Sequence, residues 1–289
     1  MSSGTDERSR SADLAPGTVA PRDDSTSRHG PIAQLLISWS PLSAILLAYA
    51  VAGWISAPLA EGDGSATNRV GAPLHVLGPA IADERVFGVV PSAWLQQRFL
   101  DPAPQWYDGV AAAVYITHFI AIPVLTAVAW FRLRERFSAW LVAVLTMSVV
   151  GIVGYVAYPA APPWLASERG DIDGVARVSH TGWDYLGLEA VGRLTSMGQD
   201  GSNPVAAMPS LHAGAAMLVA LFLWASVGAL ARVALAAYAG AMGLTLVYTG
   251  EHYVVDIAAG WLVAVVGILA ASAWEARRSR SPVLAGDSG

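Results

Sequence analysis

The chain has 289 residues, of which 54% are hydrophobic and 13% charged, where a soluble domain carries about 25% charged. It has no cysteine and a formal charge of -5, which excludes a disulfide-stapled scaffold, a zinc–thiolate module and a nucleic-acid partner gripped by a basic surface. Mean hydropathy is +0.47 and the charges cluster, leaving long windows with none, so the chain reads as a membrane protein.

Residues 1–31 are rich in Ser, Asp, Arg, Pro and Gly and are expected to form a disordered cytoplasmic tail. They are not a cleavable signal, because the apolar run that follows is too long and further runs come after it. Six windows free of Asp, Glu, Lys and Arg then occur: 32–60, 109–131, 137–167, 201–231, 233–250 and 257–274. Each is long enough to cross about 30 Å of hydrocarbon as a helix. Helices are expected near 35–59, 110–131, 138–158, 209–228, 231–249 and 254–275. The stretch between the first two carries Phe87, Trp94, Phe99 and Trp106 and predicts short amphipathic helices at the membrane surface, broken at Pro91 and Pro102. Without period-2 alternation a barrel is excluded, leaving an all-α, polytopic membrane helical bundle of six transmembrane helices. Residues 32–275 are expected to form its single six-span domain, and 276–289 a second cytoplasmic tail.

Orientation follows from arginine, since the chain contains no lysine. With the N-terminus inside, the tails and short turns hold eleven of the 17 basic residues, including the dense runs at 132–136 and 277–280. The other six are diluted over the long loops 61–108 and 159–208. The positive-inside rule places both termini in the cytoplasm and both long loops outside, in a multi-pass plasma-membrane protein.

Two constellations carry chemistry. Met208-Pro209-Ser210-Leu211-His212 stands where the second long loop enters the fourth span, with Pro209 expected at the first helical position. A helix starting there turns its free N–H groups outward, a ready phosphate site. His252-Tyr253-Val254-Val255-Asp256 joins the last two spans, and on a helix His252 and Asp256 share a face. A carboxylate at that spacing can hold the imidazole Nδ1 proton and leave Nε2 as a nucleophile. An acid at membrane depth is costly and marks function by default. Both motifs fall on the same, outer side of the membrane, as phosphoryl transfer through a phosphohistidine needs. Metal binding by the two histidines and Asp256 is a second reading, and a proton relay in a transporter using His118, His212 and Asp256 a third. His118 on span two is a candidate cavity-lining residue, and Trp164 and Tyr253 candidate substrate contacts. Glu251 reads as a solvated loop carboxylate.

The run Asn203-Pro204-Val205-Ala206-Ala207-Met208-Pro209-Ser210-Leu211-His212, followed by His252-Tyr253-Val254-Val255-Asp256, resembles the type 2 phosphatidic acid phosphatase (PAP2) superfamily. Tyr158-Pro159-Ala160-Ala161-Pro162-Pro163 narrows the likeness to the branch of inositol phosphorylceramide synthases, related to sphingomyelin synthases. The resemblance covers about residues 80–275. It implies His252 as nucleophile, Asp256 as its orienting partner and His212 as the acid that protonates the leaving alkoxide. It also implies a lipid phosphoester substrate, a hydroxyl acceptor or water, no metal or other cofactor, and no partner protein that can be named. Asn203 and Ser210 join the expected substrate contacts. The sequence departs from the superfamily's phosphate clamp, because Leu246 stands where an arginine precedes the last histidine and Trp164 follows the Pro-Pro pair. Of the remaining loop arginines, Arg177 is the first choice for the phosphate. The lost clamp and the branch resemblance favour a transferase, with a PAP2-type phosphatase using water as the alternative.

Overall fold

The computed structural model describes residues 31–58 and 66–280. The chain divides at Pro41 into two units: 1–41, whose described part is the helical start of α1 (Pro31–Ser56), and 42–289, which holds everything below. Residues 1–30 of the expected tail 1–31, and residues 281–289, lie outside the described residues.

Among the described residues the chain is helical, with isolated β-bridges and no strands. Two short helices, α2 (Leu77–Phe87) and α3 (Pro91–Phe99), precede the long α4 (Trp106–Arg132). Pro91 starts α3 rather than breaking it, since its missing N–H is no loss at the first helical position. A capping box opens α4: the Asp108 carboxylate accepts the Gln105 N–H at 2.7 Å, and the Gln105 side chain accepts the Asp108 N–H in turn. One 3-10 turn, Arg134–Arg136, leads into α5 (Phe137–Ala157). Then come three short helices in the second long loop, α6 (Pro163–Glu168), α7 (Gly182–Tyr185) and α8 (Glu189–Asp200). The chain ends in α9 (Leu211–Trp224), α10 (Ala229–Tyr248) and α11 (Val254–Arg280).

Among the described residues four helices are long and apolar enough to span a membrane: α4, α5 with its preceding turn, α10 and α11. The apolar helix α9 has 14 residues, shorter than the expected 209–228. His118, twelve residues into α4, packs against His212 at the start of α9, with ring centroids 4.0 Å apart. By helical rise, α9 thus begins roughly 18 Å below the first turn of α4. Segment 201–210 therefore descends into the bundle as irregular chain, which at membrane depth is tolerated where protein surrounds it.

Helices α5, α9 and α11 form the centre, around the fully buried Trp140 with Met147, Leu218, Phe222 and Ala264. The Trp140 indole donates to Thr126 Oγ1 of α4 at 2.8 Å, a polar tie between two spans. Small residues let the backbones approach closely, as membrane interfaces require. At Gly260 of α11 the approach leaves no room for a side chain, since a Cβ there would fall on the carbonyl oxygen of Ser210.

Candidate active site

The Tyr158-Pro159-Ala160-Ala161 run acts as a splint. On one side His75 N–H donates to the Pro159 carbonyl (2.8 Å) and Ala161 N–H to that of His75 (2.9 Å). On the other, Ala160 pairs with Val205 and Ala207 by backbone bonds of 2.9 and 3.3 Å. These pairings hold the loop that descends to Met208. There Ser210, rather than Pro209 at a first helical position, opens α9. Its hydroxyl accepts the Ala213 N–H at 3.3 Å, and a serine is the better helix cap. Ser210 N–H donates to the Asp256 carbonyl at 2.9 Å, so the two motifs are joined through backbone.

His252 does not lie on a helix. α11 starts at Val254, with Tyr253 just before it, and the Asp256 carboxylate reaches back to accept the Tyr253 N–H at 2.9 Å. Half a capping box, not a helical turn, therefore sets the spacing. The same oxygen, Asp256 Oδ2, lies 3.6 Å from His252 Nδ1. Asp256 is fully buried and His252 is 5% exposed. The His252 and His212 ring centroids are 5.8 Å apart, and His118 and Tyr115 pack on the His212 ring at 4.0 and 5.3 Å. Four buried polar atoms here have no hydrogen-bond partner: His118 Nδ1, His212 Nε2, His252 Nδ1 and Asp256 Oδ1. Buried polar atoms are rarely left so, and each costs about 1–3 kcal/mol unless a ligand meets it.

The first two amides of α11 are held from outside the motif. Val254 and Val255 N–H donate to the two carboxylate oxygens of Asp83 on α2, at 2.7 and 2.9 Å. Asp83 is 1% exposed, and burial pushes its carboxyl above the usual carboxylate range, against the pull of the two amides. Nothing in the sequence marked it. Asp83→Ala should lower the thermal unfolding midpoint in detergent, with about 1–3 kcal/mol lost for each stranded amide. Asp83→Asn, which keeps one acceptor oxygen, should lose less.

Arg177 is beside the site, but not as a free cation. Its Nε and Nη2 donate to Glu251 Oε1 and Oε2 at 2.9 and 3.1 Å, and its guanidinium lies 4.8 Å from the Trp164 ring centre. Glu251 is 7% exposed, which corrects its reading as a solvated loop residue. Besides Arg177, Ser179 Oγ donates to it at 2.5 Å, and Gln199 Nε2 stands 3.0 Å from it and 3.2 Å from the Tyr115 hydroxyl. Sequence reasoning missed Ser179, in the irregular chain before α7, and Gln199, near the end of α8. Gly250 gives the chain its turn between α10 and Glu251, with φ of +75° and no room for a Cβ beside the Ala176 carbonyl. Of the other expected contacts, Tyr253 is fully buried behind the motif, and Asn203 packs by Gly53 of α1. Among the described residues no group of three or more His, Asp or Glu side chains has the spacing to hold a metal ion.

A family model described as "PAP2 superfamily" matches residues 81–270. Over 218 residues the chain is 29% identical to the phosphoinositol dihydroceramide synthase of Bacteroides thetaiotaomicron, an alignment covering 68% of this chain and 67% of that protein. Over 124 residues it is 32% identical to the catalytic subunit of inositol phosphorylceramide synthase from Schizosaccharomyces pombe, covering 42% of this chain and 29% of that one. No solved structure matches.

Proposed function

The chain belongs to the PAP2 superfamily and is an enzyme acting on lipid phosphoesters, and from that premise we propose that it transfers an inositol-phosphate group between membrane lipids through a phosphohistidine. The observation that carries the proposal is the set of unpartnered buried atoms on His118, His212, His252 and Asp256, gathered at one depth of the bundle. A phosphate group with its ester oxygens offers acceptors to imidazole N–H groups, while Asp256, an acceptor itself, stays with His252.

In the first displacement His252 Nε2 bonds to phosphorus and the bond to the donor lipid's alkoxide breaks. His212 gives that oxygen its proton, and Asp256 balances the positive charge on His252. In the second, His212 takes the proton of an acceptor hydroxyl, whose oxygen bonds to phosphorus as the P–N bond breaks. Arg177, neutralised in part by Glu251, offers its remaining guanidinium edge to the phosphate, and Trp164 steadies that guanidinium by a cation–π contact. Ser210 acts by capping α9, and Tyr253 and Asn203 by holding the two motif loops. The scheme uses no metal or organic cofactor.

The names of the relatives point to a ceramide-type acceptor. Purified protein in vesicles, given an inositol-phosphate lipid and a ceramide, should form the phosphoinositol ceramide, read by mass spectrometry of the lipids. Release of inositol phosphate to water at a rate indifferent to ceramide would mean the hydrolase instead.

We place six spans in the plasma membrane, counting α1 and α9, with the catalytic unit at 32–275, both termini cytoplasmic and the site outside; the arginine asymmetry supports this. Because the chain has no cysteine, single-cysteine variants give a clean background. In intact cells an impermeant maleimide should label Asp173→Cys, in the exposed turn after α6, and not Ala225→Cys at the end of α9. The reverse pattern would put the site in the cytoplasm.

A further inference from the structure

Helix α8 presents three different faces. Gly192 and Gln199 are buried against the protein. Glu189, Arg193, Ser196 and Asp200 line an open cavity of about 740 Å³ together with His180, Asp184, Gly192 and Met197, and Arg193 and Glu189 form an exposed i,i+4 pair at 3.9 Å. On the third face stands Leu194, with Met197 one turn on at the border with the cavity; they are 67% and 70% exposed. For large apolar side chains that is close to full exposure. The approach to α8 continues the same surface, with Tyr185, Leu186 and Leu188 about half exposed.

A wet polar stripe and a bare apolar stripe side by side on one short helix fit a helix lying in a membrane–water interface. The apolar surface is also continuous with a membrane-facing one. Tyr185 and Leu186 close over Gly109 of the spanning helix α4, beside the exposed Trp106 and Val110. We propose that α8 docks on the bilayer surface at the active-site end of the bundle, with Leu194 and Met197 in the lipid and Arg193 and Ser196 in water.

The docked helix would do more than anchor a loop. Gln199, on the inner face of α8, reaches Glu251 and the Tyr115 hydroxyl, and Tyr115 packs on His212. The position of α8 on the membrane thereby bears on the polar network beside the catalytic histidines. A snug bilayer contact would hold that network closed.

The test needs no knowledge of the substrate. Cysteines introduced singly at 193, 194, 196 and 197 are labelled with an environment-sensitive fluorophore, and the full-length protein is reconstituted in phosphatidylcholine vesicles. Spin-labelled lipids bearing the quencher near the headgroups, and aqueous iodide, then compete for each site. For a stripe about 5–10 Å into the boundary, lipid quenching should be at least about twofold stronger at 194 and 197 than at 193 and 196, with the opposite order for iodide. Equal access of iodide to all four would show a helix free in water and overturn the proposal. Protection of 194 and 197 from both quenchers would also overturn it, by showing that protein covers the stripe.

Discussion

Replacing His252 by alanine should abolish turnover, because no other group in the site has an imidazole edge backed by a carboxylate. The fall should match that of a lost covalent nucleophile, at least about 10⁴-fold. His212→Ala should cost roughly 10²–10⁴-fold, the range for one general acid, and should be milder on a donor whose leaving group needs no proton. Asp256→Asn sits between them. Loss of the correct imidazole tautomer costs about 10⁴ in the serine-protease triad. Here the same oxygen that lies 3.6 Å from His252 Nδ1 also accepts the Tyr253 N–H, so the substitution loosens the start of α11 as well. Steady-state kinetics on the three purified variants would check the order His252, Asp256, His212. A His212→Ala enzyme slower than His252→Ala would reverse the roles.

Gly260→Ala should be a severely damaging change, although it touches no titratable group. The new methyl would collide with the Ser210 carbonyl, and Ser210 N–H is bonded to Asp256. Backbone cannot swing aside as a flexible side chain can, so the start of α9 must move away from α11. Overpacking of this kind costs about 1–3 kcal/mol and sometimes more. The histidine pair suffers directly, since His212 rides on α9 and His252 and Asp256 on the segment it leaves. Activity per folded molecule should therefore fall with stability, by two orders of magnitude or about 2.7 kcal/mol of transition-state binding. Gly240→Ala on α10 is the control, because a Cβ there meets nothing within 4 Å. That change should be neutral or stabilising by up to about 1 kcal/mol. Thermal melts and kcat of the two variants separate a crowded junction from a general dislike of alanine.

The long helices were legible because bilayer-spanning segments leave a simple trace: a run of apolar residues between charges. α4, α5, α10 and α11 fall within a few residues of their expected places, except that α11 continues to Arg280, past the last apolar residue. α9 is shorter than its hydropathy window, because apolar residues such as Val205 and Ala207 serve a buried irregular loop rather than a helix. Hydropathy cannot tell these apart. The order of the three motifs led to the superfamily, and the fold brings His212, His252 and Asp256 together. What sequence did not reveal was the support. Asp83 is one of 22 acidic residues, and only tertiary structure puts its two oxygens on the amides of α11. Glu251 looked like any polar residue in a turn. It is buried because Arg177, Ser179 and Gln199, remote in the chain, all converge on it. α8 escaped notice since a 12-residue amphipathic helix has neither the length nor the mean hydropathy of a span.

The central claim is that phosphorus becomes bonded to His252. Brief exposure of the reconstituted protein to a phosphorus-labelled inositol lipid without acceptor, followed by denaturation in alkali, should leave label on the chain that is stable to base and lost in acid. Peptide mapping should find it on His252, and it should be absent from His252→Ala and chased into lipid product when ceramide is added. Label on His212 instead, or steady product formation with no labelled protein at any time, would contradict the account.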